Sequence, residues 1–230
     1  TWADVAVRYE PDEAAGGRGW FNVHEVEKHR DRLGIKPSRG HFDGRPASPG
    51  AHLLANLGRI VRRLRQRAGG DSAAEALVLV WDMDKQGKER TAGLTQARDA
   101  MGAPTDFAVV IGRPDPMRET WILAGFSPSS EEERRRLDAE RALLGFAPNE
   151  QPHRLTATGD TDRKHPKRVL KSLLGGVDAE REAACLRIDS TQRWELLHTR
   201  GGGCGLAAFL EEIDTRLVPR VGGASPAPGR

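Results

Sequence analysis

The run Ala76-Leu-Val-Leu-Val-Trp81 is continuous, apolar and rich in β-branched side chains, and it leads directly into Asp82-Met83-Asp84-Lys85-Gln86-Gly87. A run so short, with no polar alternation, predicts a strand buried on both faces, the kind found in parallel sheets covered by helices. Phe107-Ala-Val-Val-Ile-Gly112 repeats the pattern, and the segment around Leu94 to Met101 has room for a helix between the two. Parallel strands need such a crossover, so the two runs read as a βαβ unit. A first strand is expected at Asp4 to Tyr9, where polar and apolar residues alternate ahead of a charged, Gly-rich stretch. It begins so near Thr1 that a start methionine or a short leader is expected before the numbered chain.

Helices are expected around this core. Leu53, Leu54, Leu57, Ile60, Val61 and Leu64 recur at helical spacing, which predicts an amphipathic helix from Ala51 to Arg67, ended by Gly69 and Gly70. Asp115 and Pro116 are placed as N-cap and first residue of a helix reaching Ala124. Glu131 to Arg141 carries Glu and Arg at spacings of three and four, which suits an exposed helix. Pro166 to Leu174 and Val177 to Leu186 read as two short helices, and Leu206 to Leu217 as a last amphipathic one. Gly34 to Gly50 reads as a long loop, Gly201 to Gly205 as a flexible connection, and the stretch from Pro219 as a loose tail. The expected fold class is therefore α/β, a mainly parallel sheet flanked by helices. Residues 1–125 would form the core, 126–218 a helical extension, and 219–230 the tail.

Composition narrows the function classes. No run approaches the roughly 20 apolar residues of a membrane span, and no signal-peptide pattern is seen, so a cytoplasmic location is expected. Cys185 and Cys204 are the only cysteines and lie at no metal-ligand spacing, which argues against a zinc site or a disulfide framework. The net charge of +3 is a small difference between 36 basic and 33 acidic side chains. Attraction to nucleic acid must therefore come from local patches.

The sharpest chemical signal is the acidic pair. Ligands of open parallel sheets gather beyond the carboxyl ends of the strands, which is where Asp82 and Asp84 would lie. Two Asp at a spacing of two face the same side of an extended segment and can share one hard cation, magnesium or manganese, through oxygen ligands. The plainer reading is that both shape a turn, since Asp, Lys and Gly are common turn residues. Glu10 at the end of the first strand and Glu119 in the first turn of the helix that follows Phe107 to Gly112 are placed to join them, with Asp12 and Glu13 as alternatives to Glu10.

Asp82-x-Asp84-x-x-Gly87 after an apolar strand, with Tyr9-Glu10-Pro11-Asp12 ending a strand upstream, resembles the Toprim fold of topoisomerases, DnaG-type primases and OLD-type nucleases. Glu119-Thr-Trp121-Ile-Leu-Ala-Gly-Phe126 and Lys167-Arg-Val-Leu170 resemble small Toprim-like bacterial proteins, some tied to phage defence. Pro11 stands where the family commonly has Gly. The resemblance implies that Glu10, Asp82 and Asp84 bind magnesium, that Glu119 is the extra acid of some nuclease members, and that the metal assists phosphodiester cleavage or transfer.

Two basic clusters complete the reading. Arg59, Arg62, Arg63, Arg65 and Arg67 crowd the first amphipathic helix with no acid between them, a strip suited to phosphates. Lys164, Lys167, Arg168 and Lys171 form the second, with Lys167 as the catalytic cation that offsets phosphate charge and Lys164 or Lys171 as alternatives. The functional expectation is a magnesium- or manganese-dependent nuclease acting on DNA or RNA, as a subunit of a bacterial defence system. Tyr9 is the only Tyr and belongs to the first strand, which disfavours topoisomerase strand passage. One alternative is a non-catalytic Toprim-like subunit that binds nucleic acid or an ATPase partner. Another is a haloacid-dehalogenase-type phosphatase with Asp82 as nucleophile and Asp84 as acid, although Gln86 departs from that pattern.

Overall fold

Helices dominate a computed structural model of the chain, which describes residues 22–38, 41–42, 44–68, 74–102 and 107–221. In order these residues form α1 (Val26–Arg32), β1 (His41–Phe42), β2 (Arg45–Pro46), α2 (Ala51–Ala68), β3 (Ala76–Val80), α3 (Gly87–Ala100) and β4 (Ala108–Gly112). Then follow α4 (Glu119–Gly125), α5 (Glu131–Leu144), α6 (Pro166–Leu174), α7 (Ala179–Leu186), α8 (Thr191–Gly201), α9 (Leu206–Glu212) and α10 (Val218–Val221). The chain divides into two units, one of Thr1–Leu77 with Glu89–Val109 and one of Val78–Lys88 with Val110–Arg230.

In the first unit α2 supplies the main apolar face. Leu54, Leu57, Ile60 and Val61 are buried together with Val26 of α1 and Leu94 and Ala97 of α3, as helical spacing of apolar residues requires. Arg62 of α2 donates to the Met101 carbonyl at 3.1 Å, and the Ser48 amide donates to Gln96 of α3 at 3.1 Å. Within the loop expected from Gly34 to Gly50, β1 and β2 form a small antiparallel hairpin, Phe42 opposite Arg45.

The second unit is organised by α4, whose residues Thr120 to Gly125 are all buried. A helix apolar on every side belongs inside a protein, and α4 packs on α6, α7 and α8. Ile122, Leu123 and Phe126 meet Val169, Leu170 and Leu173 of α6 and Cys185 of α7, while Trp121 and Ala124 meet Leu197, Leu206 and Leu210. Gly125 permits the closest approach, because a Cβ there would stand 1.9 Å from the Cys185 carbonyl oxygen. The Trp121 indole donates to the Cys204 carbonyl at 2.7 Å. Residues 201–205, expected to be a flexible connection, are thus a fixed turn whose Cys204 is fully buried.

The sheet departs from expectation. Among the described residues β3 and β4 pair with each other only. They run parallel, since the Ala108 amide donates to the Glu75 carbonyl at 2.8 Å and the Trp81 amide to the Gly112 carbonyl at 3.1 Å. β4 is buried along its whole length, but β3 is not buried on both faces: Leu77 and Leu79 are inside while Val78 and Val80 are 46% and 40% exposed. The Glu212 carboxylate of α9 accepts the Ile111 amide of β4 at 3.0 Å, so that this N–H is satisfied by a side chain rather than by a strand.

Among the described residues there are two two-stranded sheets and otherwise helix. The expected Toprim or Rossmann-like architecture, a mainly parallel sheet flanked by helices, is therefore corrected to a mainly helical fold. The expected strand at Asp4 to Tyr9 lies outside the described residues. α4 begins at Glu119 rather than Pro116, with Arg118 and not Asp115 at its N-cap. The Asp115-Pro116 peptide is cis. Helix α8 carried no expectation, whereas α2, α5 and α6 stand where periodicity places them. None of the helices among the described residues is long and apolar enough to cross a membrane.

Candidate functional site

The acidic site grows out of the β3–β4 pairing. Beyond the strands the two chain segments stay joined: the Met83 amide donates to the Pro114 carbonyl and the Asp84 amide to the Pro116 carbonyl, both at 2.9 Å. These bonds carry Asp82 to the start of α4, where its Oδ1 accepts the Arg118 amide at 2.9 Å. Asp84 holds φ 44°, in the left-handed region, which Asp tolerates better than most residues.

Asp82 is half-buried, and its carboxyl is pushed up to about 6. Burial is the main cause, helped by the negative charges of Glu119 and Asp84 and opposed by the Arg118 amide and guanidinium. The Arg118 side chain is itself engaged, with Nη2 2.9 Å from Oε2 of Glu182 on α7. The structure thus brings Asp82, Asp84 and Glu119 into one electrostatic neighbourhood and adds Arg118 and Glu182. Sequence reasoning missed those two because their pairing spans 64 positions. A carboxyl that titrates near 6 can exchange a proton close to neutrality.

Glu10 lies outside the described residues. Among those that are described, no group of three or more His, Cys, Asp or Glu is placed to hold a metal ion. Of the acids that are described, Asp82 accepts the Arg118 amide through Oδ1, and the charges of Glu119 and Asp84 stand close enough to raise its pKa.

The basic residues fall into two classes. On α2, Arg59 donates to the Lys36 carbonyl at 3.0 Å, Arg62 to Met101, and Arg65 to the Ala74 carbonyl. Arg59, Arg63 and Arg67 are exposed. None of the α2 arginines forms an ion pair among the described residues, and the helix has no acid in its 18 residues. On α6, Arg168 is bound to both oxygens of Glu140 on α5, at 2.9 and 2.6 Å. Its charge is matched by a two-pronged contact through both terminal nitrogens, while its buried Nε has no hydrogen-bond partner among the described residues. Lys167 and Lys171 are exposed and Lys164 is half-buried. Among the described residues neither a hydrogen bond nor an ion pair joins Lys167 to Asp82, Asp84 or Glu119.

Compared with protein-family models, with curated proteins and with solved structures, the chain matches none. Four expectations are corrected here. The described residues form neither the sheet that the Toprim resemblance requires nor a metal cluster, which overturns that resemblance and with it the metal-dependent nuclease or phosphoryl-transfer activity. The Toprim-like non-catalytic subunit and the haloacid-dehalogenase-type phosphatase fall with the same scaffold.

Proposed function

We propose that this chain binds nucleic acid through the phosphate backbone, with α2 as the contacting helix and the α6 lysines as a second patch. The observation that carries the reading is the contrast between two arginine-rich helices. On α5, Arg134, Arg135 and Arg136 each stand beside Glu131 or Glu132. On α2 the five arginines have no acid beside them and no ion pair among the described residues. An unmatched row of guanidinium groups repels itself, and phosphates relieve that repulsion while releasing their counterions. The carbonyl contacts of Arg59, Arg62 and Arg65 fix the side chains without neutralising them, since each guanidinium has five donors. With a net charge of only +3, such binding is local to this face.

The test is fluorescence anisotropy of a labelled oligonucleotide titrated with the full chain at low salt. Arg63→Glu with Arg67→Glu should weaken binding at least about tenfold, with an unchanged circular dichroism spectrum. Equal affinity of the double variant and the parent sinks the reading.

A further inference from the structure

At the N-terminal end of α2 the arginine stripe meets an aromatic pair. His52, Arg59, Arg63 and Arg67 are all exposed. At 100° per residue they fall within a sector of about 80° on one side of the helix, opposite the buried Leu54, Leu57 and Val61. The rings of His52 and Phe42 lie 5.8 Å apart between centroids, tilted by 57°. Phe42 is half exposed, and exposed Arg45 stands opposite it in the β1–β2 hairpin. His52 thus joins an aromatic pair to the side of α2 that carries three cations, and a further cation stands across the hairpin from Phe42. Arg59, Arg63 and Arg67 follow one another in steps of about 6 Å, and His52 lies about 10 Å before Arg59.

Phosphates alone do not call for rings. In a duplex the base faces are closed by stacking on one another, so a half-exposed phenyl ring meets only sugar and phosphate. An unpaired base offers its open face, and stacking on an aromatic side chain is the usual sequence-tolerant grip on a single strand. Imidazole and phenyl rings also stack against a base without asking which base it is. Given α2 as the phosphate-binding helix proposed above, we infer that this surface takes single-stranded nucleic acid. A base stacks on the Phe42–His52 pair while Arg59, Arg63 and Arg67 follow the phosphates.

The experiment uses the full chain and three labelled probes: an oligothymidylate of about 12 nucleotides, the same strand annealed to its complement, and an abasic strand of equal length. The oligothymidylate should bind about tenfold or more tightly than the abasic strand and more tightly than the duplex. Phe42→Leu keeps an apolar side chain for the hairpin but removes the stacking face. It should abolish the preference over the abasic strand and leave abasic binding unchanged, while Phe42→Trp should keep the preference. Arg63→Glu with Arg67→Glu should weaken all three complexes. Equal binding of base-bearing and abasic strands, tighter binding of the duplex, or an unaltered preference in Phe42→Leu overturns the single-strand assignment and leaves the phosphate reading standing. No binding of any probe at low salt overturns both.

Discussion

Arg181 on α7 grips Glu133 in the first turn of α5 with two nitrogens, Nε to Oε1 and Nη2 to Oε2, both at 2.9 Å. Glu133 also accepts the amide and hydroxyl of Ser129, and Arg181 donates to the Ser127 carbonyl at 2.7 Å. One carboxylate therefore anchors the start of α5, the loop after α4 and the helix α7. The guanidinium lies 5.2 Å above the Phe126 ring, so the clamp also caps the apolar cluster beneath it.

This clamp predicts acid sensitivity. Hydrogen bonds from Arg181, then from Ser129, outweigh burial and bring the Glu133 carboxyl down from 4.5 to about 2. A carboxyl depressed by folding stabilises the folded state fully above its unfolded value and loses that contribution as pH falls toward the folded value. Between pH 4.5 and 2 the parent should therefore lose on the order of 2 kcal/mol through this group alone. Urea midpoints measured across that range should fall less steeply in Glu133→Gln, which starts from a lower stability at pH 7. Parallel curves for the two proteins would show that the clamp is not what titrates.

Asp82 carries the opposite sign. Its carboxyl is raised from 3.8 to about 6, so the folded state holds a proton that the unfolded chain releases. Stability therefore rises as pH falls from 6 to 3.8, and above 6 the charged form is a cost to the fold. Asp82→Asn keeps an oxygen for the Arg118 amide and removes that charge. At pH 7 it should be more stable than the parent by about 1 kcal/mol after solvent screening, with the difference gone near pH 4. Melting temperatures of the two proteins at pH 4 and 7 decide this, and an Asn variant less stable at both would refute the assignment of cause.

The legible parts of the chain are those whose determinants are local. α6 is announced by Pro166 at its first position, by Val169, Leu170 and Leu173 at helical spacing, and by Gly175, which takes φ 74° just past its end. Ser130 caps α5 by accepting the Glu133 amide at 3.1 Å, again within three residues. The extent of the sheet is not legible, because the contacts that meet its strands come from afar, as when Glu212, 101 positions away, accepts the Ile111 amide of β4. The apolar run at Ala76 correctly signals a strand, yet nothing in it states how many strands flank it or that Val78 and Val80 stay exposed. Asp82 and Asp84 were found for the same local reason. Their surroundings are not legible there, because Arg118 reaches Asp82, and Glu182 reaches Arg118, through folding rather than spacing. Likewise Arg168 reads as one more cation of a basic cluster until Glu140 appears beside it.

The crowding at Gly125 gives a stability prediction independent of charge. A methyl group there would meet the Cys185 carbonyl oxygen and carbon at 1.9 and 2.8 Å, and both belong to backbone that cannot swing aside. Gly125→Ala should separate α4 from α7 and destabilise the second unit by at least about 2 kcal/mol. A thermal melt reads this directly, and an unchanged midpoint would mean that the two helices are not in this contact.

Salt dependence separates the cations that bind from those that hold the fold. Each phosphate neutralised adds about 0.7 to 0.9 to the slope of log affinity against log salt. Arg63→Gln with Arg67→Gln should therefore lower the slope by about 1.4 to 1.8 while leaving the melting temperature alone, because both side chains are exposed and unpaired among the described residues. Lys167→Gln with Lys171→Gln should do the same if the α6 patch also meets the backbone. Arg168→Gln sits in the same cluster but should behave differently, since Glu140 is 4% exposed and would be left without its partner. Its removal should cost on the order of 3 kcal/mol of stability and leave the slope unchanged below the melting temperature. A lowered slope without a lowered melting temperature in Arg168→Gln would move that residue from the fold to the binding face.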